Sequence, residues 1–171
     1  MIIGRAIPLL PLFLVIAYHD VRYRRIPNPY VLAVLVMGVV LNTSLAGSAG
    51  LLASVEGCLL GFGLMFILHV LGAMGAGDVK LFAAVSSVLG IHLVLPAFVI
   101  VVFTGGLLAV IVMLRFGTVR TTMMRVFSIM LGLLPGWRMP HYEVPADRSL
   151  TIPYGVAISL GSLVSLFVFR A

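Results

Sequence analysis

Charge is scarce in this chain. Only 9% of its 171 residues are charged, 11 basic and five acidic, against about 25% in an average soluble domain. Apolar residues make up 62%, and mean hydropathy is +1.24. A chain of this length cannot hide so much apolar surface from water. That excludes an ordinary soluble globule and a disordered segment. It also excludes a nucleic-acid-binding domain, despite a formal charge of +6 and a pI near 10.3. Cysteine is nearly absent. Cys58 stands alone in an apolar run, which excludes an intrachain disulfide and a cysteine-ligated metal, and it reads as a small buried hydrophobe. What remains is a chain whose solvent includes the bilayer.

The apolar stretches point to an all-α, polytopic membrane protein of about six transmembrane helices. The first is Ile2 to Ala17, where Pro8 and Pro11 are expected to kink it. Arg5 ahead of this run resembles a signal peptide, but no small-residue cleavage site follows, so the segment reads as a retained helix. His19 to Pro29 reads as a structured loop, with Pro27, Asn28 and Pro29 together. The second stretch runs from Tyr30 to about Leu45 and ends in the Ser-, Gly- and Asn-rich 42–50 region. The third runs from Leu51 to Leu71, interrupted by Glu56 and His69, with Gly57 and Gly61 spaced for close helix packing. The apolar run from Val79 to Leu114 is too long for one span, and Gly90, His92 and Pro96 offer a turn. It divides into helices at about 79–93 and 96–114. Residues 115–150 read as a cytoplasmic interfacial helix followed by a proline-rich loop. A last span covers about 151–169. The whole chain, 1–171, reads as one membrane-embedded domain.

The basic residues orient these spans. With the 19–29 loop in the cytoplasm, Arg22, Arg24, Arg25, Lys80, Arg115, Arg120, Arg125, Arg138 and Arg148 all fall inside. Only Arg5 and Arg170 fall outside. This bias follows the positive-inside rule and places both termini outside the cytoplasm. Membrane lipid is the expected partner of these arginines.

The five carboxylates are sorted by the same topology. Asp20 closes the first span and Asp78 opens the fourth, both on the cytoplasmic side. Packing of those two spans would bring them face to face. Two carboxylates in one partly desolvated site cannot both ionise easily, so one keeps a proton while the other acts as base. The residues alone leave a second reading open, in which each Asp caps a helix or pairs with an arginine. Glu56 sits on the outer side. Glu143, Asp147 and His141 share the proline-rich loop and read as solvated residues rather than metal ligands. His69 caps a helix end or tunes the Asp78 loop. Trp137 and the tyrosines at 18, 23, 30, 142 and 154 suit the membrane interface.

Immediately before Asp78 lies Gly75-Ala76-Gly77. Glycines permit backbone angles closed to other residues and let another strand approach closely. With Asp20-Val21-Arg22, Arg25-Ile26-Pro27-Asn28, GAGDVK at 75–80 and Ile152-Pro153-Tyr154-Gly155, the chain resembles the type IV prepilin peptidase family. That family includes archaeal preflagellin peptidases, and its members are GxGD membrane aspartyl proteases. The resemblance implies an aspartic-type endopeptidase at the inner membrane that removes the short basic leader of pilin-like precursors. Asp20 and Asp78 match the family's catalytic aspartates. Gly75 and Gly77 would shape and loosen the Asp78 loop, Pro27 and Asn28 would fix the first cytoplasmic loop, and Lys80 would reach phosphates or steer substrate. No metal, nucleotide or other cofactor is implied. The cysteine-rich zinc loop and N-terminal extension of the bifunctional members have no counterpart here, so no methyltransferase activity is expected. The rival reading is a non-enzymatic transporter or pilus-assembly subunit that uses the same carboxylates structurally. A transporter would set them near the bilayer midplane rather than at one face.

Overall fold

A computed structural model describes residues 2–117, 120, 123, 124 and 154–169. Its contacts divide the chain into two units, Met1–Gly105 with Pro153–Ala171, and Gly106–Ile152. Among the described residues run five helices: α1 Ile2–Tyr23, α2 Asn28–Val70, α3 Ala76–Leu89, α4 Ile91–Phe116 and α5 Tyr154–Val168. Two of them, Asn28–Val70 and Ile91–Arg115, contain windows long and apolar enough to cross a membrane. Much of 115–150, including Arg125, Trp137, Arg138, His141, Glu143, Asp147 and Arg148, lies outside the described residues. The interfacial helix expected there falls with it.

The 43 residues of α2 are a hairpin rather than one rod. A straight helix of that length would reach roughly 65 Å, twice the hydrocarbon thickness. The break is at Gly47, with φ 60° and ψ −137°, a backbone open to glycine and to few other residues. Beyond it the two arms, 28–46 and 48–70, run antiparallel. Gly50 abuts the Asn42 backbone, and the Ser54 hydroxyl donates to the Gly38 carbonyl at 3.3 Å. Each pair is centred on residue 46, which fixes the register.

Between these arms lies α3. Residues 81–90 are all buried, as expected for a helix enclosed on every side. Small residues make the enclosure possible. A side chain at Gly57 or Gly61 would strike Ser86, and one at Gly38 would strike Ser87 and Val88. The Gly57–Gly61 spacing therefore serves helix packing, as the sequence implies. Asn42 adds hydrogen bonds, donating from Nδ2 to the Ser54 hydroxyl at 2.9 Å and the Ser87 carbonyl at 2.8 Å. Phe98 of α4 meets Phe82 edge-on, with centroids 6.1 Å apart. Large apolar side chains such as Leu14, Leu59, Val99 and Phe103 lie exposed on the outer faces, an arrangement suited to lipid.

Several boundaries differ from the sequence expectation. The first helix continues to Tyr23, so the loop expected over 19–29 shrinks to residues 24–27. It ends because Arg24 takes φ 51° and its N–H returns to the Asp20 carbonyl at 2.9 Å, a left-handed helix cap. The 42–50 region is helical on both sides of Gly47, because Asn42 finds buried partners. Only Gly90, at φ 72°, separates α3 from α4. Pro96 lies inside α4, where it forfeits one backbone bond without ending the helix.

Candidate active site

Asp20 sits in the last turn of α1 and is 6% exposed. A carboxylate so deeply buried needs donors. The backbone N–H of Gly155, in the first turn of α5, donates to its Oδ2 at 2.7 Å, and the Val156 N–H is also directed at the carboxylate. The positive charge of Arg24 acts on the same group. Asp20 therefore caps the N-terminus of a helix 135 residues away in sequence.

Asp78 occupies the first turn of α3. Its Oδ2 accepts from the Gly75 N–H at 3.2 Å, a local helix cap. The glycine segment is thus a helix start, with Gly75 as N-cap at φ −77° and ψ 152° and Gly77 already helical, where a free loop was expected. A loop would leave the Gly75 N–H unpaired, and the Asp78 side chain satisfies it. Ahead of the cap, the His69 ring nitrogen Nδ1 pairs with the Met74 carbonyl at 2.8 Å. His69 thereby ties the 71–75 turn, which leads into Asp78, to the end of α2.

The two carboxylates are close enough for the charge of Asp20 to act on Asp78. They share an end of the fold because α1 and α3 both pack against α5. The sequence suggested direct packing of the spans carrying them; α5 is instead their common partner. Its buried residues include the small Gly155, Ser159, Gly161, Ser162 and Ser165 beside the larger Ile158 and Leu166, and the small ones permit close approach. Among the described residues no hydrogen bond joins Asp20 to Asp78; each is held by a different backbone N–H.

The first loop closes over the same end. Pro27 is the N-cap of α2 and Asn28 its first residue, and Ile26 lies against the start of α3, where a Cβ on Gly77 would come 3.8 Å from Ile26 Cβ. His19 and Tyr30, with ring centroids 5.2 Å apart, join α1 to the start of α2. Lys80 points outward and is exposed. Tyr154 lies against Gly105 of α4, whose Cβ, if present, would fall 2.6 Å from Tyr154 Cε1. The charge of Asp78 acts on Tyr154. Glu56 is on the second arm of α2, roughly 21 Å along the helix from Val70, and does not join the group. Among the described residues no three of His, Cys, Asp and Glu gather as a metal site.

The sequence marked Gly155 as part of the Ile152-Pro153-Tyr154-Gly155 motif, without a role toward Asp20. Its N–H to Asp20 has no local signature, since any residue except proline carries that donor. The Asn42 network was also missed, because Asn42 stands in a polar stretch that reads as a loop.

Residues 7–110 match the family model described as the type IV leader peptidase family. The match covers more than half of the chain and contains Asp20, the 75–78 segment and Asp78. No individual characterised protein matches the chain, nor does any solved structure.

Proposed function

The chain belongs to the type IV leader peptidase family, membrane peptidases of the aspartic type that process type IV prepilin leaders, and from that premise we propose that it cleaves the short basic leader from a pilin-like precursor at the cytoplasmic face of the inner membrane. Asp20 and Asp78 are the reacting pair in this reading. The observation that carries it is that one helix, α5, packs on both α1 and α3, so that Asp20, held by the Gly155 N–H at 2.7 Å, and Asp78, held by the Gly75 N–H at 3.2 Å, come to the same end of the fold although 58 residues apart in sequence. An ionised carboxylate takes a proton from water, while its protonated neighbour polarises the scissile carbonyl. Asp20 and Asp78 act as this unit, and the apparent titration belongs to the pair.

The proposal extends to the chain as a whole. One domain, 1–171, crosses the membrane six times, counting the arms of α2 separately, with both termini outside the cytoplasm. The basic residues near the two aspartates support that orientation. The activity is peptidase alone, without methylation of the new N-terminus.

The test is reconstitution in liposomes with a prepilin from the same genome, with leader removal followed by mass. Wild-type cleavage, together with folded and inactive Asp20→Asn and Asp78→Asn variants, is the expected result. Cleavage that survives in both variants would remove the pair from the chemistry.

A further inference from the structure

The family match ends at residue 110, yet the donor that holds Asp20 lies beyond it, at Gly155. We infer that the Tyr154–Gly155 turn at the start of α5 is a positioning element for the aspartate pair, and that residue 155 must lack a side chain for Asp20 to reach its working position. The inference rests on the proposed peptidase reading for its consequence in rate, but not for its geometry.

Three observations converge on this turn. The Gly155 N–H donates to Oδ2 of Asp20 at 2.7 Å. That bond engages one carboxylate oxygen and restricts rotation about the Cβ–Cγ bond, because the donor belongs to a helix that is itself packed on α1 and α3. The close approach depends on glycine. A Cβ at 155 would lie 2.8 Å from Asp20 Oδ2 and 3.1 Å from both its Cβ and Cγ. The carboxylate could not stay where it is. Finally, the turn is seated from the other side. Tyr154 packs its ring on Gly105, where a Cβ would come within 2.6 Å of Cε1 and 3.1 Å of Cδ1. Glycine in α4 and glycine in α5 thus set the turn between them, with the aspartates alongside.

A rigidly held acid is worth more to catalysis than one that samples several rotamers. The reacting groups must meet within a fraction of an ångström of their productive geometry, and small displacements cost large rate factors. Gly155 is a positioning residue here; it acts through Asp20 and contacts no reacting atom of the substrate.

The experiment compares wild type, Gly155→Ala, Gly105→Ala and Gly161→Ala as full chains in liposomes. Gly161 is the packing control, since its missing Cβ faces Val101 of α4 at 2.7 Å rather than an aspartate. Two readouts are taken per folded enzyme. In cleavage of a prepilin, Gly155→Ala should lose about 10- to 100-fold in kcat with KM within twofold of wild type, and Gly161→Ala should keep its kcat even where Tm falls. In infrared difference spectra against Asp20→Asn, the Asp20 carboxylate band should shift in Gly155→Ala and stay in place in Gly161→Ala. An unchanged band and unchanged kcat in folded Gly155→Ala would overturn the inference. If Gly155→Ala does not fold, Gly105→Ala puts the same question through Tyr154, with a smaller shift and a smaller loss expected; no change in either would overturn it equally. Should wild type cleave nothing, the peptidase reading fails, and the infrared band still decides whether Gly155 positions Asp20.

Discussion

Asp20 caps a helix to which it does not belong: its Oδ2 accepts the Gly155 N–H at 2.7 Å, across 135 residues of sequence. The catalytic and structural readings of this carboxylate therefore do not compete. A carboxylate held by the backbone of α5 is fixed in place, and fixing in place is what acid–base chemistry needs. Asp78, its partner in the proposed pair, is likewise held by a backbone N–H, that of Gly75.

This double role separates two substitutions at position 20. Asn offers an amide oxygen that still accepts from Gly155, whereas Ala offers nothing. Asp20→Asn should fold like wild type and lose cleavage by about 100-fold or more. Asp20→Ala should lose cleavage and, in addition, about 1 kcal/mol of stability from the missing cap. Thermal melts in detergent alongside cleavage rates distinguish them. Equal melting of the two variants would refute the cap.

Gly77 gives the opposite dissociation. Nothing crowds it; a Cβ there would make ordinary contact with Ile26 at 3.8 Å. It is already helical, so Gly77→Ala should hold or raise stability by up to about 1 kcal/mol. If the bare backbone serves the approach of a substrate strand, the same variant raises KM for the precursor several-fold. A stable variant with unaltered KM would assign Gly77 no part in substrate binding.

At the far end of α3, Asn42 donates to Ser54, to the Ser87 carbonyl and, at 3.2 Å, to the Val88 carbonyl. Asn42→Leu removes these bonds and adds bulk beside a packed helix. A loss of about 1–2 kcal/mol is expected. Asn42 lies toward the opposite end of α3 from Asp78, so kcat per folded enzyme should persist. A selective fall in kcat without a fall in Tm would contradict the structural assignment.

The hairpin makes a topological prediction. Ser48, next to the bend, and Lys80, near the aspartates, are both exposed. The arm between them spans roughly 30 Å. In a Cys58→Ser background, Ser48→Cys should react with an impermeant thiol reagent from outside intact cells. Lys80→Cys should react only after the cytoplasmic side is opened. Labelling of both from one side would refute the hairpin as a membrane-crossing pair.

The aspartate pair was legible in the sequence because few charges compete with it. Five carboxylates among long apolar runs can each be weighed singly, and Asp20 and Asp78 stand at the ends of such runs, each with a basic residue two positions on. The Gly57–Gly61 spacing was legible for a related reason, since its helical period is local. Other features were not. Gly47 bends α2 and Ser44 and Ser48 do not, but all stand in the same polar stretch. Pro96 reads as a breaker and is absorbed, while Gly90 alone makes the turn.

By itself, the sequence determined that this chain lives in lipid as helices. Burying backbone polar groups without water demands that form. It also marked out Asp20 and Asp78 among the five acids. Only the tertiary structure decided that α5 brings them together. A backbone N–H is present at nearly every residue and carries no signal in the sequence. Which amide meets Asp20 depends on the packing of α1 and α3 against α5, and on the one position there, Gly155, where a missing side chain lets the carboxylate in.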